Sequence, residues 1–115
     1  IGAIAGFLLR ASDLRLPVII DGFPCTAGAL IARTTKPDAL TTMFFSHVSP
    51  EPGHRITIDY LNGHPWFELG MRLGEGTGAA MMMGLVDIAV RLYREMATFK
   101  EARVAGGPKE DAAFS

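Results

Sequence analysis

One carboxylate stands between two glycines, directly before the longest helix that the sequence predicts. Residues 73–79 read Leu-Gly-Glu-Gly-Thr-Gly-Ala, and Glu75 is the only charged residue among them. Glycine adopts backbone dihedrals that are closed to other residues, so this segment can bring Glu75 close to a substrate. The free amide groups at the start of the next helix point to the same place. We therefore predict that the chemistry of this protein takes place at Glu75.

Polar side chains also follow two predicted strands, at the point where each strand ends. Asp21 comes after the first strand, and Ser46 and His47 come after the second. Ligands of open parallel sheets bind beyond the carboxyl ends of the strands, so we expect these side chains and Glu75 to converge on one edge. An aspartate before a helix often only caps that helix, and for Asp21 the two interpretations stay equally open.

Apolar residues alternate along the chain between a helical period and a strand period. We predict helices at residues 1–12, 23–33, 52–61 and from 78 onward, and strands at 16–20, 40–45 and, with a weaker pattern, 65–69. Alternation of this kind favours an α/β fold with mainly parallel strands. We expect the chain to form part of a parallel-sheet, Rossmann-like three-layer domain with a long C-terminal helix.

The last helix has the clearest pattern. Its apolar residues recur every three or four positions, which predicts one continuous stripe of Met81, Leu85, Ile88, Ala89, Leu92, Met96 and Phe99. The methionine run at 81–83 could line a flexible pocket, but we favour packing in the core. After Ala105 the periodicity is lost, and we predict a disordered tail at residues 106–115.

Composition excludes several classes of protein. At 115 residues, with 49% hydrophobic and 20% charged residues, the chain has the content of one globular domain. A net charge of −1 gives no general attraction to nucleic acid, and the opening apolar run is too short to span a bilayer. With Cys25 alone, no disulfide can form within the chain, which favours the cytoplasm. The first helix begins uncapped at Ile1, so we expect the C-terminal piece of a longer protein.

Three other combinations of residues are poor candidates for a site. Ser46 and His47 could form a nucleophile and its base, but neighbours on a strand point to opposite faces, which argues against a serine hydrolase. The spacing of His47, His54 and His64 matches no recognised metal site. The glycine-rich segment lacks the last glycine of a dinucleotide-binding loop, which is Ala79 here, and its glutamate would repel a pyrophosphate.

Five short motifs, in their order along the chain, resemble the nicotinate-nucleotide–dimethylbenzimidazole phosphoribosyltransferases. The motifs are Asp21-Gly22-Phe23, Ser46-His47, Glu51-Pro52-Gly53-His54-Arg55, the Gly-Glu-Gly-Thr-Gly segment at 73–79, and Glu95-Met96-Ala97-Thr98-Phe99. The resemblance covers nearly the whole chain to about Phe99 and corresponds to about the C-terminal third of a family member. It implies that residues 1–105 are the C-terminal part of the catalytic domain.

The resemblance also implies an activity. The family transfers phosphoribose from nicotinate mononucleotide to 5,6-dimethylbenzimidazole, giving α-ribazole 5′-phosphate and nicotinate for the lower ligand of cobalamin. Glu75 matches the general base of the family, and the resemblance implies no metal, no cofactor and a homodimer. The predicted substrate-binding residues are Asp21, Gly22 and Ser46, which the resemblance puts near the ribose and phosphate, and Leu73, Gly74 and Gly76, which flank the base.

Two residues depart from the family pattern. Val48 stands where a basic residue often follows Ser-His, and Pro24 follows Asp-Gly-Phe where an apolar residue compatible with a helix is usual. Two other functions stay open at this point. The chain could belong to a non-catalytic homologue or inactive fragment that binds a nucleotide or a partner, or to an unrelated α/β nucleotide hydrolase in which Glu75 activates water.

Overall fold

The computed structural model describes residues 1–72 and 74–103. Its elements are α1 (Gly2–Asp13), β1 (Val18–Ile20), α2 (Phe23–Thr35), a 3₁₀ helix (Pro37–Thr42), β2 (Met43–Phe45), α3 (Pro52–Tyr60) and α4 (Thr77–Glu95). The chain divides into two compact units, Ile1–Leu85 and Val86–Ser115, and α4 runs across the division. The predicted α/β class and the long C-terminal helix are confirmed.

The two strands form a parallel pair. Val18 lies opposite Met43, and Ile20 lies opposite Phe45. The Ser46 N–H donates a hydrogen bond to the Ile20 carbonyl at 2.9 Å, which continues the pairing one residue beyond β2. Because the strands are parallel, their carboxyl ends meet at the same edge of the sheet.

Helices α1 and α2 pack closely against each other and against the 3₁₀ helix. A Cβ atom added to Gly28 would lie 2.6 Å from Ile4 Cγ2, so only glycine allows the two helices to approach this closely. Their apolar faces and the two strands enclose one core, formed by Leu8, Ile20, Ala29, Ala32, Ala39, Met43, Phe45, Val48, Ile58 and Leu61. Val48, which replaces a basic residue of the family pattern, therefore packs in the core.

The second predicted strand is wrong in part, and the third is wrong. Residues 40–42 belong to the 3₁₀ helix that begins at Pro37, because proline favours the first turn and the Thr41 hydroxyl donates back to the Asp38 carbonyl at 2.8 Å. The segment 65–69 forms no strand and makes a single parallel bridge, between Phe67 and His47. Proline at its start lacks the N–H that a longer ladder needs.

Most of the apolar stripe predicted on α4 is exposed. Met82 is buried, whereas Met81 and Leu85 are exposed, so core packing is right for only one residue of the methionine run. In the second unit the helix ends at Glu95, which leaves Met96 and Phe99 beyond it. The predicted tail at 106–115 lies outside the described residues. Within the described ranges, no helix is long and apolar enough to span a membrane.

Candidate active site

A cavity of about 560 Å³ opens at the carboxyl edge of the parallel pair. Three segments surround it: the turn after β1, the loop between β2 and α3, and the chain that leads into α4. The lining residues are Asp21, Gly22, Phe23, Pro24, His47, Ser49, Pro50, Glu51, Pro52, Met71, Arg72 and Gly74. Asp21, His47 and Gly74 line the cavity together, so the two strand ends and the glycine-rich segment meet at one edge as predicted. The side chains of Ser46 and Glu75, which were expected to converge there as well, are not among its lining residues.

Asp21 caps a helix, but a different one from the helix that follows it. The N-cap of α2 is Gly22, which makes no side-chain bond, so of the two interpretations left open for Asp21, the one in which it caps the next helix is wrong. Instead, Asp21 Oδ1 accepts a 2.8 Å hydrogen bond from the N–H of Ala79, in the first turn of α4 and 58 positions along the chain. The Asp21 side chain is 17% exposed, and it also lines the cavity.

His47 and Gly78 are in close contact beneath this bond. The imidazole is 3% exposed, and its Nδ1 lies 3.8 Å from Asp21 Oδ1. A Cβ atom added to Gly78 would overlap the imidazole, reaching 2.8 Å from His47 Cε1 and 3.0 Å from Asp21 Oδ1. The last glycine of the Gly-Glu-Gly-Thr-Gly segment thus lets α4 pack directly on the imidazole.

Ser46 is completely buried and lies beside His47. Its hydroxyl donates to the Ile20 carbonyl at 2.9 Å, and its Oγ is 3.1 Å from His47 Nδ1. The expectation that the two side chains point to opposite faces is wrong, because this short distance places the hydroxyl and the imidazole side by side. A hydroxyl that is buried and already bonded to a carbonyl is a poor nucleophile, so a serine hydrolase stays excluded on this different ground. Contact of Ser46 with a substrate stays a prediction.

Glu75 is exposed on the turn before α4 and has a left-handed backbone, with φ +64°. Gly76 follows with φ +79°, and the Thr77 hydroxyl closes the turn by donating to the Gly74 carbonyl at 3.2 Å. An L-residue pays about 1–2 kcal/mol for a left-handed conformation, which glycine would avoid. Strain of this kind concentrates at functional sites. Leu73, the other residue predicted here, lies outside the described residues.

A buried histidine links two of the segments that line the cavity. His54 Nδ1 accepts the Ser49 N–H at 2.9 Å, so the proton is on Nε2, which donates to Thr26 Oγ1 at 2.9 Å. Thr26 in turn donates to the Gly22 carbonyl at 3.1 Å. Burial lowers the pKa of His54 to about 4, and the nearby His47 acts in the same direction. The neutral ring therefore connects the start of α2 to the loop after β2.

Sequence reasoning did not assign a role to three residues of the cavity. Arg72 and Glu51 add one positive and one negative charge to the residues that line the cavity. His47 also lines the cavity and packs against Gly78 at the start of α4. A charged residue beside a glycine-rich segment was the available signal for Arg72. His64 lines a different cavity, of about 270 Å³. Over the described parts of the chain, no group of three His, Cys, Asp or Glu side chains could hold a metal ion.

Comparison with known proteins shows the family. Residues 1–104 match the family described as phosphoribosyltransferase. The chain is 50% identical, over 91% of its length, to the nicotinate-nucleotide–dimethylbenzimidazole phosphoribosyltransferase of Pelodictyon phaeoclathratiforme, and 51% identical, over 93%, to that of Geotalea uraniireducens. The crystal structure of such an enzyme from Thermus thermophilus superposes with a TM-score of 0.83 and 46% identity over 91% of this chain.

The match is to one part of these proteins. The chain covers 30% of the length of each of the two relatives and 32% of the Thermus thermophilus chain. The family match at residues 1–104 includes the strand ends and the glycine-rich segment. The chain belongs to the family of the nicotinate-nucleotide–dimethylbenzimidazole phosphoribosyltransferases.

Proposed function

We propose that the intact protein transfers the phosphoribosyl group of nicotinate mononucleotide to 5,6-dimethylbenzimidazole. The products are α-ribazole 5′-phosphate and nicotinate, as used in assembly of the lower ligand of cobalamin. The observation that carries this proposal is the Gly-Glu-Gly-Thr-Gly segment, fixed beside the cavity through Asp21, in a chain about half identical to enzymes of that name. In this proposal, residues 1–105 are the C-terminal part of the catalytic domain.

Glu75 acts as the general base. One nitrogen of the benzimidazole attacks the anomeric carbon of the ribose, and a new C–N bond forms as the C–N bond to nicotinate breaks. The other nitrogen loses its proton to the Glu75 carboxylate, and the leaving pyridinium becomes a neutral pyridine ring. A carboxylate within hydrogen-bond reach contributes about 10²–10⁴-fold to such a step. Attack from the face opposite the leaving group converts a β-nucleotide into an α-nucleotide.

The other site residues bind the substrates. Asp21 and Gly22 lie at the cavity beside the start of α2, which supports a position near the ribose. Arg72 brings a guanidinium group to the same cavity, where a phosphate would be attracted to it. Gly74 and Gly76 lie on either side of Glu75 in the sequence, where the absence of side chains leaves room for a flat acceptor, and Leu73 is the apolar residue proposed to bind that acceptor. No step of this mechanism uses a metal ion or a cofactor.

The same proposal includes a homodimer in the cytoplasm. The resemblance to the family supports a dimer, and the exposed apolar residues of α4, such as Leu92 at 56% exposure, support association with another surface. The single cysteine supports a reducing compartment. Light scattering of the intact protein measures its mass in solution, and a monomeric mass at assay concentration would contradict the dimer.

The activity is tested by incubating the intact protein with nicotinate mononucleotide and dimethylbenzimidazole. We expect α-ribazole 5′-phosphate, and we expect Glu75→Gln to lower turnover by about 10²–10⁴-fold while the affinity for the nucleotide is kept. Glu101→Gln, at an exposed glutamate that bonds only Thr98 in the described structure, is the matched control and leaves turnover unchanged. Nicotinate release without added base would indicate a hydrolase, and nucleotide binding without either product would indicate a non-catalytic homologue.

A further inference from the structure

We propose that Asp21 is a positioning residue for the turn that carries Glu75, because its carboxylate caps α4 from the opposite side of the sheet edge. Its carboxylate oxygen accepts the N–H of Ala79, the third residue of α4, at 2.8 Å. The first amides of a helix have no partner within the helix, and a carboxylate at that end is also favoured by the helix dipole. The expected effect on catalysis rests on the proposed function, whereas the hydrogen bond that caps α4 does not depend on it.

The cap controls Glu75 because of the short connection between them. Glu75 stands two residues before α4 begins at Thr77, and the backbone between them is held in the turn closed by Thr77 and Gly74. A movement of the first turn of α4 therefore moves the carboxylate. A cap supplied by a neighbouring residue would stabilise the helix without fixing it to the sheet, whereas the bond to Asp21 joins it to the end of β1.

A second contact restricts the same movement. The backbone of Gly78 packs against the His47 imidazole, whose Nδ1 lies 3.1 Å from Ser46 Oγ. Ser46 is itself bonded to the carbonyl of Ile20, the last residue of β1. The hydrogen bond that Ala79 donates to Asp21 and the contact at Gly78 therefore both hold the start of α4 against the end of β1. Loss of either one should loosen the turn that carries Glu75.

The test compares amide exchange and kinetics in the intact protein for Asp21→Ala and Asp21→Asn. In Asp21→Ala, exchange of the amides at 76–80 should rise by about fivefold to tenfold, the change expected for loss of one N-cap. The turnover number should fall by more than KM for nicotinate mononucleotide rises. Asp21→Asn keeps an oxygen acceptor and should recover most of the protection and part of the turnover. Asp87→Asn, on the exposed part of α4, is the matched control.

Two results would overturn the inference. The first is a rise in KM in both Asp21 variants with unchanged exchange at 76–80, which is the behaviour of a residue that only contacts substrate. The second is unchanged exchange in Gly78→Ala, because its added methyl group would overlap His47 and come within 3.0 Å of Asp21 Oδ1. This variant also serves if Asp21→Ala does not fold. A wild-type protein without transferase activity would refute the proposed function alone, since the exchange data decide the cap independently.

Discussion

Replacement of Glu75 by glycine should separate stability from activity. Its φ of +64° is left-handed, which costs an L-residue about 1–2 kcal/mol and costs glycine nothing. Glycine loses about 0.5–1 kcal/mol more chain entropy than alanine on folding. The difference makes Glu75→Gly more stable than Glu75→Ala by up to about 1.5 kcal/mol. Both variants should lose about 10²–10⁴-fold of turnover, because both lack the carboxylate.

The assay is denaturant unfolding of the intact variants together with product formation. Gly70 supplies the opposite control, since its φ is +62° and an added Cβ would meet nothing within 4 Å. Gly70→Ala should therefore cost up to about 1.5 kcal/mol from backbone conformation alone, without loss of turnover. If Glu75→Gly were less stable than Glu75→Ala while Gly70→Ala behaved as expected, the strain assigned to Glu75 would be refuted. Retained turnover in both Glu75 variants would refute its role as base.

The contacts support three further predictions. His54 has a pKa of about 4 in the folded chain and about 6.5 in the unfolded chain, so the unfolded chain takes up a proton first as the pH falls and the folded state loses stability. Between pH 7 and 5 we expect the free energy of unfolding to fall by about 2 kcal/mol, measured by denaturant unfolding. A His54→Gln variant should lack this pH-dependent part, and an equal loss in the variant would contradict the assignment. Gly28→Ala forces a methyl group against Ile4 and should destabilise by about 1–3 kcal/mol, whereas Gly6→Ala meets nothing within 4 Å and should not; equal effects would contradict close packing of α1 and α2. Arg72→Ala should raise KM for nicotinate mononucleotide by about 10-fold or more with a smaller change in the turnover number, and an unchanged KM would remove it from phosphate binding.

The local pattern of the sequence was sufficient for most helices and for the site's location. Helical periodicity and the prolines at 37 and 52 gave α1 to α4 to within a few residues, because these signals lie inside each element. The polar residues after β1 and β2 indicated the right edge of the sheet, since parallel strands end together. The short strands were less well predicted. The segment 65–69, for example, makes only one parallel bridge, between Phe67 and His47.

Tertiary structure alone decided which groups Asp21 and His47 contact. The sequence allowed Asp21 to be either a cap for the next helix or a residue that binds the ligand. Its hydrogen-bond partner in the structure, Ala79, is 58 positions away. The closeness of Gly78 to His47 depends on how α4 meets the sheet edge, which no local pattern records. The sequence by itself determined that a glutamate stands between glycines before a helix. The fold determined that this helix is held to β1, because hydrogen bonds and close contacts between distant segments exist only once the chain has packed.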